Sequence, residues 1–142
     1  MTICYFGNFN PDYARNKVII KGLEENGVKV VYSLRVPHDL VIVGYSDSRW
    51  VVPLARLLSR KKIVWDAFYS LYDSWVFDRK LVSPRSLKAK YYWWADWLSC
   101  TLADRILLDT NAHIDYFVKT FRIPRHKFVR VLVGTDDQIF HP

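Results

Sequence analysis

Asp66 sits directly after the apolar run Ile63-Val64-Trp65, where a buried strand would present a carboxylate to whatever lies beyond its end. A carboxylate there can orient a hydroxyl or stabilise positive charge developing on a sugar ring. It can equally cap the turn that follows. Gly7-Asn8, after the run Thr2 to Phe6, can bring backbone N–H groups close to a phosphate or a sugar hydroxyl, and Arg15 can face the same cleft from the next helix. The plain alternatives are a strand-to-helix turn and a solvated arginine. Thr110 and Asn111 can cap a helix and offer N–H groups to an oxygen ligand, and Gly134-Thr135-Asp136 follows the last apolar run.

Several chemistries are disfavoured because their residues are missing. The sequence has no GxxxxGK[ST], and its first glycine loop reads Gly7-Asn-Phe-Asn-Pro11 rather than GxGxxG. It has no GxSxG elbow and no HExxH. The four histidines, His38, His113, His126 and His141, are scattered, so no metal site and no cofactor are expected. Cys4 and Cys100 lie in apolar patterns and read as buried thiols rather than a disulfide framework.

The elements that must position these residues alternate in type. Short β-branched runs fall at Thr2–Phe6, Val28–Leu34, Asp39–Val43, Lys62–Trp65, Arg105–Leu108 and Phe128–Leu132. Helical patterns lie between them at Tyr13–Glu25 (capped by Asp12), Ser48–Leu58, Arg85–Leu102 and Asn111–Phe121, with an irregular stretch over Ala67–Pro84. In the second helix Val51, Leu54, Ala55 and Leu58 are expected inward. This alternation predicts an α/β, Rossmann-like, doubly wound and mostly parallel sheet of about six strands, with helices on both faces, as one domain over residues 1–142. In such sheets ligands sit at the carboxyl ends of the strands, where every candidate residue above falls.

Composition adds a surface question. Aromatic residues make up 16% of the 142 residues, with six Trp and nine Tyr, and the net charge is +7. The helix from Arg85 is apolar around most of its circumference, with Trp93 and Trp97 on one face and Tyr91, Trp94 and Leu98 on another. Trp93 and Trp97, with Arg85, Lys88 and Lys90, form the expected membrane or partner surface; the alternative is that they are core with a solvated rim. No secretory leader and no apolar run of about 20 residues is seen, so a cytoplasmic protein with peripheral membrane attachment is expected. No motif supports a nucleic-acid partner.

The layout resembles the N-terminal, acceptor-side domain of retaining GT-B-fold glycosyltransferases of the large family 4 group. Gly22-Leu-Glu-Glu-Asn-Gly-Val-Lys-Val30 is similar to that family's first crossover, and Asp39-Leu-Val-Ile-Val-Gly44 to its third strand. Ala103-Asp-Arg-Ile-Leu-Leu-Asp-Thr110 and Ile123-Pro124 follow its pattern, as does Lys127 to Leu132 with Val133-Gly-Thr-Asp136 and Phe140-His-Pro142. The resemblance covers nearly the whole chain. It implies transfer of a sugar from a nucleotide sugar to an acceptor, lipid-linked acceptors included, with Gly7, Asn8 and Asp66 lining the cleft. The chain departs from the family in having no histidine after the fourth strand, and in carrying Val133 and Thr135 in its last segment. The family's nucleotide-sugar half is not in this sequence. It would come from a C-terminal domain or a separate subunit, and the chain alone is expected to be inactive. The reading kept beside it is a non-enzymatic Rossmann-like module that docks a protein partner or an anionic membrane.

Overall fold

The computed structural model describes residues 1–134; Thr135, Asp136 and the Phe140-His141-Pro142 end lie outside the described residues. Six strands, β1 (Thr2–Phe6), β2 (Lys29–Val31), β3 (Leu40–Val43), β4 (Lys62–Phe68), β5 (Arg105–Leu108) and β6 (Phe128–Arg130), form one sheet. Its order is β2-β1-β3-β4-β5-β6 and every pairing is parallel. Four α-helices join them: α1 (Ala14–Glu25), α2 (Val51–Leu58), α3 (Leu87–Leu102) and α4 (Asn111–Phe121). The expected Rossmann-like α/β fold is therefore present.

Alternation of side chains along each strand divides the core in two. On one face Ile3, Tyr5 and Ile42 receive Ile19, Ile20 and Leu23 of α1. On the other, Cys4, Val41, Val43, Ile63, Trp65, Ile106 and Leu108 pack under α2, α3 and α4. Both cysteines are free and buried. Central strands covered on both faces need continuous apolar runs, and Leu40–Val43 and Ile106-Leu-Leu108 supply them.

Several boundaries differ from expectation for local reasons. The residue capping α1 is Tyr13, not Asp12, and Asp12 instead closes an Asx turn by donating its N–H to Asn10 Oδ1 at 2.9 Å. Strand β2 stops at Val31, because Val36 N–H bonds Ser33 O and turns the chain back toward β3. On α2 the inward residues are Val51, Val52 and Ala55, while Leu54 and Leu58 face out. Arg49, two residues before the helix, is itself buried. Strand β4 runs on through Asp66 to Phe68, with a bulge between Asp66 and Phe68, so the carboxylate lies inside the ladder opposite Leu107. Within the stretch expected to be irregular, Asp73–Asp78 forms a π-helical turn.

Candidate functional site

Parallel strands put all their carboxyl ends on one edge, and the strand order reverses direction between β1 and β3. This is the switch point where α/β sheets open a crevice. A cavity of about 240 Å³ lies there, lined by Asn8, Asn10, Tyr13, Asn16, Tyr45, Ser46 and Asp47. Asn16 holds its two walls together. Its Oδ1 accepts from Tyr5 Oη (2.9 Å) and Tyr45 N–H (3.0 Å), and its amide donates to the carbonyls of Asn10 (2.9 Å) and Tyr45 (3.1 Å). Asn8 reaches this cavity. Gly7 adopts φ +130° and leaves no room for a side chain, because a Cβ would stand 2.8 Å from Val51 Cγ1. That close approach lets the β1 loop sit against α2.

Arg15 and Asp66 are brought together, but beneath the surface. Asp66 is 0% exposed; Arg15 Nε lies 2.8 Å from each of its oxygens, and Nη1 donates to Val131 O at 3.2 Å. Nη2 lies 2.8 Å from Oδ1 yet makes no aligned hydrogen bond, leaving a buried donor with spare capacity. The guanidinium also rests 4.8 Å from the centre of the Phe68 ring. Burial pushes the Asp66 carboxyl up to about 6, against the opposing pull of Arg15. The carboxylate expected at the strand's exit thus holds the arginine of α1, and through it the segment after β6. Gly134 lines a separate groove with Arg15, Val18 and Val131, where a Cβ on it would meet Val18 at 2.8 Å.

A second buried pair stiffens the edge from the other face, and nothing in the sequence pattern marked Arg49. Its Nε donates to Asp96 Oδ1 at 2.9 Å, Nη1 to Ser46 O at 3.1 Å and Nη2 to Tyr69 O at 2.8 Å. Asp96 also accepts from Ser70 Oγ (2.7 Å) and Tyr72 N–H (3.0 Å). The narrow polar side of α3, Asp96 with Ser99, therefore points inward and ties the loops after β3 and β4 to the helix.

Thr110 caps α4, its hydroxyl accepting from His113 N–H at 3.1 Å, while Asn111 is exposed on the first turn. His113 Nδ1 stands 2.6 Å from Asp109 Oδ1. Asp109 and His113 are four residues apart, the spacing at which helical side chains meet, and that was the available signal for this pair.

The aromatic surface is displaced from where it was expected. Trp93 and Trp97 stack on each other, with centroids 6.2 Å apart and planes at 7°, and lie half-buried against the larger core. Around α3 the aromatics that face out include Trp50 (50% exposed), Tyr91 (43%) and Trp94 (41%), with Trp50 Nε1 donating to Tyr91 Oη at 2.8 Å. Arg85, Lys88 and Lys90 are exposed nearby on α3 and its approach; Lys88 Nζ sits 5.9 Å from the Trp75 ring centre.

Among the described residues no cluster of His, Cys, Asp and Glu is arranged to hold a metal ion, and no helix is long and apolar enough to cross a membrane. No protein-family model matches the chain, and no curated protein matches it significantly.

Proposed function

We propose that the chain is the acceptor-side half of a GT-B-type glycosyltransferase, forming one wall of a cleft in which a sugar passes from a nucleotide sugar to an acceptor. One observation carries the reading. The parallel sheet brings the segments that follow β1, β4, β5 and, as far as Gly134, β6 to one edge, beside a polar crevice at the strand-order reversal. In this reading Asn8 and the N–H groups around Thr110 and Asn111 meet ligand oxygens, and Arg15 with Asp66 positions the cleft floor. A nucleotide-sugar-binding half, as a further domain or a separate subunit, grips the donor. No cofactor or metal is invoked. The test is a transfer assay on the native assembly isolated from its source cells, offered a panel of labelled nucleotide sugars. The expected result is label on an endogenous acceptor with the assembly and none with the 142-residue chain alone. An assembly that consumes no nucleotide sugar would remove the reading.

A second reading, a module that docks on an anionic membrane, is favoured by the outward shelf of Trp50, Tyr91 and Trp94 beside exposed Leu54 and Leu57. Apolar aromatics flanked by lysine and arginine suit an acidic headgroup layer. Such binding to acidic vesicles should weaken as salt rises; absence of binding at low salt would end it.

A further inference from the structure

Between the loops after β4 and β5 lies a cavity of about 470 Å³, lined by Tyr69, Ser70, Asp73, Ser74, Asp78, Arg79 and His113. Four arginines among the described residues, Arg15, Arg49, Arg56 and Arg125, close onto carboxylates; Arg79, in this cavity, is not one of them. Among the described residues the Asp73 and Asp78 carboxylates make no hydrogen bond or ion pair, and Arg79 contacts the Trp75 ring at 6.0 Å rather than an acid. The π-helical winding of the segment brings the two acids round together. Arg79 N–H bonds Ser74 O at 2.8 Å, a five-residue step, whereas α-helical winding would turn residues five apart by about 140°.

Polar side chains that converge on a cavity without a protein partner are free to meet a ligand there. Two unpaired carboxylates against one arginine disfavour a phosphate, and the polar lining disfavours a purely apolar guest. A neutral, hydroxyl-rich ring satisfies both signs, since each hydroxyl can donate to a carboxylate and accept from the guanidinium. His113 completes the set. Its Nδ1 is engaged with Asp109, which leaves Nε2 as the ring nitrogen open to a ligand hydroxyl.

We infer that this cavity binds a carbohydrate ring, with Asp73, Asp78 and Arg79 holding its hydroxyls and His113 Nε2 accepting from one of them. As a carbohydrate site it stands on the cavity alone; as the acceptor subsite it rests on the glycosyltransferase reading.

The test uses the full chain, ¹⁵N-labelled, titrated with the methyl glycosides of glucose, mannose and galactose and, separately, with inorganic phosphate. At least one glycoside should shift the His113 Nε2 and Arg79 signals. Binding should weaken about tenfold in His113→Ala, the loss expected for one hydrogen bond. Asp78→Asn, at an exposed carboxylate, gives the same readout if His113→Ala disturbs the fold. Asp109→Asn should redistribute the His113 ring protons in the ¹⁵N spectrum even without sugar. Shifts confined to Asn8 and Tyr45, binding of phosphate in place of sugar, or no response to any glycoside would each overturn the inference. A chain that binds sugar here while the native assembly transfers none would keep this site and defeat the glycosyltransferase reading instead.

Discussion

Two buried arginine–aspartate pairs flank the sheet, and they are built differently. Arg49 and Asp96 form a closed network: the arginine reaches one carboxylate and two loop carbonyls, and the carboxylate takes a hydroxyl and a backbone N–H besides. Arg15 and Asp66 face mainly each other, with one further bond to Val131 O and a guanidinium nitrogen left without an aligned partner. The first pair is a rivet through three segments of chain. The second is a pivot that joins α1 to β4 and to the strand-end segment after β6. The difference separates what holds the edge together from what shapes the cleft.

Breaking the rivet should cost most. Asp96→Ala leaves Arg49 buried and unpaired and strips partners from Ser70 and Tyr72, so a loss of about 3–5 kcal/mol is expected in urea unfolding. A loss below about 1 kcal/mol would show that the network is not a rivet. Asp66→Ala should cost less, because fewer groups are orphaned. The comparison sharpens with paired replacements. Arg15→Met with Asp66→Leu should return to within about 1 kcal/mol of the natural chain, as apolar substitution of a simple buried pair often does. Arg49→Met with Asp96→Leu should stay at least about 2 kcal/mol lower, since loop carbonyls, a hydroxyl and an N–H remain unmatched. Equal recovery of the two would erase the distinction.

Smaller effects test the packing on the pivot's face of the sheet. A Cβ on Gly44 would lie 2.4 Å from Tyr5 Cε1, so Gly44→Ala should destabilise by about 1–3 kcal/mol. A Cβ on Gly22, inside α1, meets nothing within 4 Å, so Gly22→Ala should stabilise by about 0.5–1 kcal/mol. Opposite signs from two glycine substitutions on the same face are the check, read from unfolding midpoints.

The smallest effect is a pH dependence away from both pairs. Burial pushes the Asp104 carboxyl up, but the Ile63 N–H and Arg56 outweigh it and hold it below 3.8. A carboxyl lowered by folding stabilises fully above its unfolded value and loses that contribution as pH falls through its folded value. Asp104→Asn should therefore be less stable than the natural chain at neutral pH, with the gap closing as pH falls below 3.8. A gap that persists at acid pH would mean the residue acts through shape rather than charge.

Much of the fold was legible because periodicity and strand length carry it. Arg105–Leu108 and Asn111–Phe121 stand where the pattern put them. Asp66 was seen as a residue that does chemistry, but not as an interior one. Its burial depends on Arg15, fifty-one residues away, and no local pattern shows that pairing. The same holds for Arg49 with Asp96, which turned the polar side of α3 inward. Once that side was fixed, Trp93 and Trp97 had to pack against the core, and the outward aromatics became Tyr91 and Trp94. Helical spacing alone could say which residues shared a face, not which face met the sheet.

The most direct test of the central claim is the intact mass of the native protein, isolated from its source cells together with whatever remains bound. A chain about twice this length, or this chain held to a similar-sized α/β partner, is the result expected of one half of a two-domain transferase. A lone 142-residue chain with no partner would contradict it and favour the docking module.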